Sequence, residues 1–460
     1  MSVSFNSIKN FIIKDGSLNP VFKGYLKQSL AMSWPMLIMM VFDFVVSMTD
    51  VVIAGQIDKS VQASIGLTNS IYMFFTVIVQ AITSGTVAVV SRTFGSPDNA
   101  KKLPSSIYTA ATLACTAALL FSLISFIFAP VVISMMDADP IVKARSVVLM
   151  RIYSVGMFFH LAIINLNGVL RACRLMVSSM KIMVFAALLN VVLTIVMVFF
   201  TPLGFMGIAL STAMSWIIAS VFVVKTVLKL TGGVPYSYSR EVAARIAKIG
   251  WPSGIVIFCW QASGVVVFWI MGQMPESVEV MAAFTVGLRI ESMIFMPAFA
   301  LHAANAVIVG NLLGQGKPEE AFQAGMVTVM MGVCLIIGLT VIVISAASPI
   351  ANLLAAKDEN GLADPQVVGQ IIGYLRIVML SEPFVACNAI VSGALMGAGD
   401  TRSMMFYTIF SIWIVRIPVI YIGAVTLGLG VNAIWWGMNF TFLSQSSLVL
   451  RRFVSRKWAN

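Results

Sequence analysis

Four carboxyl side chains fall inside long apolar runs of this 460-residue chain: Asp43, Asp50, Glu291 and Glu382. A charged group at a bilayer centre costs roughly 2.5–3.5 kcal/mol on insertion scales. A chain keeps such a group only where water, a partner or a function offsets the cost. Protonation is the simplest offset. A carboxyl that can be neutral or charged is also a switch for H+ or a ligand for Na+. Asp43 and Asp50 are seven apart, an advance of about 700° along a helix, so both project from nearly one face. Pro35 lies further up the same segment and lets it bend. The pair reads as a cation or proton site on a hinged helix, with an interhelical hydrogen bond or a vestibule position as the plain alternative for Asp43. Glu291 follows Arg289 in RIESMIFMP, and Glu382 precedes Pro383 on a segment shared with Arg376. Both are candidate substrate or coupling groups. The alternatives are an ion pair with the neighbouring arginine or, for Glu382, a polar group at a kink.

Other polar groups in apolar runs carry weaker signals. Asn165, Asn190, Thr194 and Thr212 read by themselves as interhelical glue. Arg151 and Arg416 read as structural or interfacial, and His160 and His302 as satisfied histidines. With only two histidines no embedded His-ligated metal site is expected, and the five cysteines are scattered singly with no CxxC pair, so they read as small apolar residues without disulfide or metal roles. No HExxH or GxSxG constellation and no phosphate-cradling loop is present, and the GxGD run at Gly397–Asp400 falls between predicted spans without a paired membrane Asp, so no enzyme, ATP hydrolysis, metal or cofactor is expected. Trp34, Trp260, Tyr72, Phe74 and Phe75 offer cation–π faces. The 30 Met and 30 Phe residues suit a cavity for bulky apolar cations, though ordinary membrane filling explains them as well.

The elements that carry these residues follow from composition. Hydrophobic residues make up 59% and charged residues 10%, and mean hydropathy is +0.97. A soluble protein has about a quarter of its residues charged, so the solvent here is lipid. The net charge of +11 does not mark a nucleic-acid binder, because no soluble basic domain exists to hold a duplex. The first 28 residues are polar, hold four lysines and show no signal-peptide cleavage site. A bilayer core needs roughly 20 apolar residues per helix. Twelve such spans are predicted: 30–56, 62–91, 104–134, 144–170, 180–200, 204–229, 250–273, 279–312, 320–350, 367–396, 403–425 and 429–450. With the N-terminus inside, 21 of the 29 Lys and Arg fall on the cytoplasmic side, while the outer loops hold four and eight acids. That bias sets the orientation, with both termini cytoplasmic.

The halves repeat. Ser33-Trp34-Pro35 opens span 1 and Gly250-Trp251-Pro252 opens span 7; VAVVSRTFGSPDNA matches AVIVGNLLGQGKPEEA; GVLRACR matches GALMGAGDTR; PLGFMGIAL matches TLGLGVNAI. The expected fold is all-α integral membrane, twelve transmembrane helices in two six-helix bundles related by a parallel repeat. Its predicted parts are an arm (1–29), an N-terminal bundle (30–230), an amphipathic linker (231–249) along the inner membrane face, a C-terminal bundle (250–450) and a basic tail (451–460). Parallel repeats mark transporters, with the substrate path between the halves.

These motifs, taken together across essentially the whole length, resemble the multidrug and toxic compound extrusion (MATE) transporters. The residues that carry the likeness are WPMLIMMVFDFVVSMTDVVIAG, SRTFGSPDNA, VGNLLGQGKPEEA and GALMGAGDTR. The resemblance implies two bundles in a V around a central cavity and export of cationic, aromatic drugs against inward H+ or Na+. It places Asp50 at the cation-site position. In one branch a cluster on spans 5 and 6 joins it; Asn190 and Thr212 match that cluster, Thr194 stands where the branch has a second Asp, and Asn165 falls near a span-4 Asn. A second branch uses a Glu on span 7 and an Asp on span 10. Here Gln261 lies near the first position and Glu382 one turn before the second. The chain departs from both branches, which leaves H+ and Na+ open as coupling ion. The expected protein is a monomer in the cell (inner) membrane. The alternative function is a flippase for lipid or polyisoprenoid-linked precursors.

Overall fold

The computed structural model describes residues 13–14, 17–136, 138–274, 276–355 and 364–459. Hydrocarbon offers no partner to a backbone N–H or C=O, so an apolar run must close its hydrogen bonds within itself. The described residues do so as α1 (Pro20–Ile57), α2 (Lys59–Gly95), α3 (Asn99–Ser134), α4 (Pro140–Ala172), α5 (Met176–Phe199), α6 (Met206–Leu230), α7 (Arg240–Met271), α8 (Ser277–Gly314) and α9 (Pro318–Ser345). A short α10 (Ala347–Leu354) follows. α11 (Pro365–Ile377) and α12 (Glu382–Ala398) are joined by a 3-10 turn, Val378–Ser381. α13 (Thr401–Ile409) passes through a π-helical stretch, Phe410–Arg416, into α14 (Ile417–Tyr421), and a second π stretch, Ile422–Thr426, precedes the final α15 (Val431–Val454). A two-residue antiparallel ladder pairs Ile13 with Leu18 and Lys14 with Ser17.

Eleven of these segments are long and apolar enough to cross a membrane. The twelfth predicted span forms α15 but is too polar to be among them. Its polar side chains turn inward: Gln445 donates to Thr408 Oγ1 at 2.8 Å and Asn439 to the Ile377 carbonyl at 2.7 Å. The surface shows the reverse arrangement. Phe74, Ile127, Phe200, Val265, Trp269 and Phe406 each expose more than half of their area, while Ser64, Thr68, Thr194, Ser211, Asn305 and Thr441 are fully buried. Apolar surface of that extent belongs against lipid. The chain is a multi-pass membrane protein.

Two compact units divide the chain. The first is Trp34–Gly254 with Gly314–Gly316; the second is Ile255–Leu313 and Lys317–Asn460, together with the N-terminal residues through Ser33. α1 therefore changes unit at Ser33–Trp34, ahead of Pro35, and α7 at Gly254–Ile255, after Pro252. In the second unit, Ser29 of α1 shares a buried 2.7 Å hydrogen bond with Thr328 of α9.

Glycines set how closely the helices approach. In GALMG, a Cβ on Gly393 would lie 2.2 Å from the His302 carbonyl oxygen, and one on Gly397 would lie 2.0 Å from that of Ala306. Both pairs are four residues apart, so α12 and α8 touch backbone to backbone along one face, as small-residue interfaces in lipid do. The repeat partner in GVLRACR behaves alike: a Cβ on Gly168 of α4 would meet Thr83 of α2 at 2.8 Å. The same device corrects the predicted linker. Residues 240–249 do not form a separate surface helix; they are the first turns of α7. A Cβ on Gly85 would sit 2.2 Å from the Ile246 carbonyl, and one on Gly250 would sit 2.6 Å from that of Ala81. That contact holds the segment against α2. α1 likewise begins at Pro20 rather than at 30.

Three of the predicted outer-loop acids are N-caps: Asp58 accepts from Ser60 N at 3.2 Å, Asp139 from Ile141 N at 2.8 Å and Asp364 from Gln366 N at 2.9 Å. Each satisfies a donor that the helix leaves open. Asp58 also accepts from Arg145 of α4 at 2.7 Å. The Arg145 guanidinium and the Ser60 hydroxyl and amide hold its carboxyl down at about 2, against about 3.9 in an unfolded chain. A depressed folded value means the stabilisation is fully present above about pH 4 and is lost as pH falls toward about 2. Asp58→Asn removes that term. The drop in melting temperature of the purified protein between those pH values will be smaller in the variant than in the parent, and equal drops refute the assignment.

Candidate functional site

In the first unit, α5 and α6 present polar side chains at four-residue spacing, which stacks them on facing stripes. Asn190 of α5 donates to Thr212 Oγ1 at 3.0 Å and to Ser215 Oγ at 3.5 Å. Thr194, one turn on, shares a 2.7 Å bond with Ser211. Asn190, Thr194 and Ser211 are buried, as are Thr212 and Ser215. Asp50 of α1 stands near this polar seam through Tyr153 of α4, whose hydroxyl reaches the Thr212 side chain and interacts with the Asp50 carboxylate. Asp50 Oδ1 is buried without a hydrogen-bond partner, and so is Asn190 Oδ1. Both unpartnered atoms are oxygens. A site with spare hard oxygen donors and no spare N–H is built for a cation, whether a proton or Na+.

The structure thus joins Asn190 to Thr212 and Thr194 to Ser211, with Asp50 reaching the seam by way of Tyr153. It does not join Asn165 or Asp43 to them. Asn165 donates instead to Thr86 of α2 at 2.9 Å. Asp43, seven residues before Asp50, stays exposed. The replacement of a second carboxyl by Thr194 leaves that position as a hydroxyl pair.

Tyr153 and its neighbours were not singled out from sequence. Tyr153 lies 6.4 Å from both the Tyr72 and Trp216 rings; Tyr72 stacks on Trp216 at 5.9 Å, and His160 stacks on Trp216 at 4.2 Å and 7°. The Tyr72 hydroxyl and His160 Nδ1 are 2.5 Å apart, so His160 is satisfied, as expected. A tyrosine in an apolar run needs a partner for its hydroxyl; that was the signal to follow at Tyr153, which is seven residues from His160 and hence on the same face of α4. Of the other aromatic candidates, Trp34 and Phe74 are exposed and Phe75 packs on Phe121.

The second unit gathers the remaining candidates. Tyr374 of α11 donates its hydroxyl to Glu291 Oε1. Glu382, at the start of α12, leaves Oε2 without a partner. Neither pairs with its neighbour in sequence: Arg289 and Arg376 are exposed. The cation facing Glu291 is Arg416, which lies over the Trp260 and Phe442 rings at 4.8 and 5.0 Å. Glu382 does occupy a kink, because Pro383 has no N–H and the chain closes a 3-10 turn from Glu382 N–H to the Met379 carbonyl instead. Gln261 is exposed on α7.

A polytopic all-helical protein with internally repeated halves and isolated polar seams in its bundles has the architecture of a membrane transporter. The MatE family model matches residues 35–196 and 252–422, so each matched block opens on the proline of its repeat. The chain belongs to the MatE family, which are transporters and not enzymes. It is 22% identical over 99% of its length, and 96% of the relative's, to a probable multidrug resistance protein NorM of Thermotoga maritima. It is 22% identical to the uncharacterized transporter YisQ of Bacillus subtilis, over 93% of this chain and 94% of that one. Among solved structures, an outward-facing multidrug resistance MATE family transporter of the MOP superfamily superposes with a TM-score of 0.84 at 19% identity, covering 95% of this chain and 98% of that one. A MOP superfamily transporter from Pyrococcus furiosus gives 0.85 at 18% identity with the same coverage. They share the fold.

Gly287 of α8 holds the second cluster in register. A Cβ there would lie 2.2 Å from Tyr374 Cε1. Gly287→Ala drives the ring out of its slot, and overpacking of this kind costs about 1–3 kcal/mol. The expected outcome is a lower melting temperature in detergent; a variant as stable as the parent refutes the fit.

Proposed function

We propose that this protein exports cationic, aromatic organic compounds across the cell (inner) membrane, both termini cytoplasmic, in exchange for inward H+ or Na+. The supporting observation is the buried, unpartnered Asp50 oxygen near Tyr153, whose hydroxyl reaches Thr212 of the polar seam. An ion arriving there satisfies the spare oxygen of Asp50. Leaving a carboxylate unpaired in a low dielectric is costly, so ion binding and loss bias the conformation of α1 strongly. Pro35 removes one backbone hydrogen bond from α1 close to where the helix changes unit, which makes it the place where α1 bends. The ion then drives alternating access, and ion and drug occupy the protein in turn. The relatives named for multidrug resistance support drug export as the activity. No bound cofactor is needed, and the chain acts as a monomer in the lipid bilayer.

The test is substrate movement in proteoliposomes with an imposed Na+ or H+ gradient, one at a time. The parent transports organic cations under one gradient. Asp50→Asn lowers that coupled rate roughly 5- to 150-fold, the span of a 1–3 kcal/mol coupling. Unimpaired ion-driven transport by the variant removes Asp50 from the mechanism. Thermal stabilisation of the purified protein by lipid phosphates and not by organic cations would favour the flippase reading.

A further inference from the structure

The first unit also holds a positive charge that nothing around it answers. Arg171, in the last turn of α4, is half-buried, and its Nε is enclosed without a hydrogen-bond partner. Nη1 meets only a thioether, Met36 Sδ of α1, at 3.7 Å. Among the described residues no carboxylate pairs with this guanidinium. A guanidinium carries five N–H donors and no acceptor, and a thioether sulfur accepts weakly. A cation taken out of water with no countercharge is costly.

The neighbouring donors are mismatched in the same way. Asn167, one turn before Arg171 on the same face of α4, gives Nδ2 to Met183 Sδ of α5 at 3.0 Å. Ser179, one turn before Met183, lies 2.9 Å from Asn167 Oδ1 and 3.7 Å from Met39 Sδ of α1. α1, α4 and α5 thus each bring two residues, three or four apart, to one place. Asn167, Ser179, Met36 and Met39 are buried. Donors surround the spot, and the groups set against them are mostly sulfurs on flexible stems, which yield readily to a better acceptor.

The repeat shows that the scaffold itself needs no charge here. GVLRACR aligns with GALMGAGDTR so that Gly168 stands opposite Gly393 and Arg171 opposite Met396. The backbone agrees three residues on: Arg174 and Gly399 both take the left-handed conformation, at φ 61° and 83°. Met396 is buried. The second unit fills the position with an apolar side chain, where the first places a guanidinium.

Charge and geometry decide what fits. Water would satisfy N–H groups and leave the charge uncompensated. A second cation is repelled. A group with two oxygens and one negative charge takes two guanidinium N–H bonds in parallel, and the Asn167 amide and Ser179 hydroxyl lie beside it.

We propose that Arg171, with Asn167 and Ser179, forms an anion-binding site in the first unit, for a carboxylate or phosphate group bearing a single negative charge. It shares no residue with the Asp50 site and does not rest on the export reading.

The test measures the melting temperature of the purified full-length protein in neutral detergent. One arm titrates sodium benzoate against sodium chloride at equal ionic strength; the other titrates phosphatidylglycerol against phosphatidylcholine. Benzoate raising the midpoint identifies a soluble organic carboxylate as the ligand, and phosphatidylglycerol alone doing so identifies a lipid headgroup. In either case the rise is expected to disappear in Arg171→Met, which installs the side chain of the second unit, and to persist in Asp50→Asn. Without ligand, Arg171→Met is expected to be as stable as the parent or more so, because a neutral thioether replaces an unanswered charge. Arg171→Lys keeps the charge and loses the fork, and is expected to weaken the apparent affinity roughly tenfold or more. No rise in either arm, or an equal rise in parent and Arg171→Met, overturns the proposal. Should Arg171→Met fail to fold, Ser179→Ala must weaken the response, and an unchanged titration is equally fatal. Loss of cation export by the parent would sink the export reading alone, because these titrations require no transport.

Discussion

An ionisable oxygen surrounded by hydrocarbon has to be answered within a few ångströms, and much of this structure can be traced to how that is done. The first unit sets against Asp50 a neutral dipole, the Tyr153 hydroxyl, which in turn reaches Thr212 of the Asn190–Thr212 seam. Neutral dipoles cannot cancel a charge. The arrangement leaves one Asp50 oxygen without a hydrogen-bond partner. The second unit answers Glu291 with a full countercharge, Arg416, and leaves the imbalance on Glu382. Two bundles descended from one pattern have reached different electrostatic solutions.

Such sites hold their shape only if the surrounding helices do not shift. Lipid supplies no hydrophobic drive between helices, so close packing carries the load. The glycine contacts at Gly85, Gly168, Gly250, Gly393 and Gly397 bring helix backbones or side chains to near contact. Prolines then interrupt the regular ladder where a group must be aimed. The Glu382 carboxyl and the Arg416 guanidinium both stand at such interruptions, and Pro35 marks the corresponding weak point of α1, the helix that carries Asp50.

Much of this was legible in the residues. Apolar run lengths located the spans, since they reflect single-residue transfer energies that do not depend on neighbours. The twin Trp-Pro openings and Gly motifs revealed the repeat. Asp50, Asn190 and Thr212 were identifiable because polar residues are rare in such surroundings. Partnerships were not legible. Arg289 and Arg376 stood next to the membrane glutamates in sequence and face away from them, while Arg416, read as structural, is the one that interacts with Glu291. Tyr153 was passed over, and Asn165 was grouped with residues it does not touch. The second part of the linker predicted at 231–249 read as lying along the membrane face because its amphipathicity was visible, while the glycine contacts that hold it involve Gly85 on α2 and Gly250 further along α7.

The sequence alone determined that this chain spans a membrane many times and which few side chains are too polar for chance. Those are sums over individual residues and their local spacing. Only the tertiary structure decided which oxygens are satisfied and which are left waiting, because a carboxyl's chemistry depends on atoms brought to it from other helices, and no local pattern encodes which distant arginine arrives there.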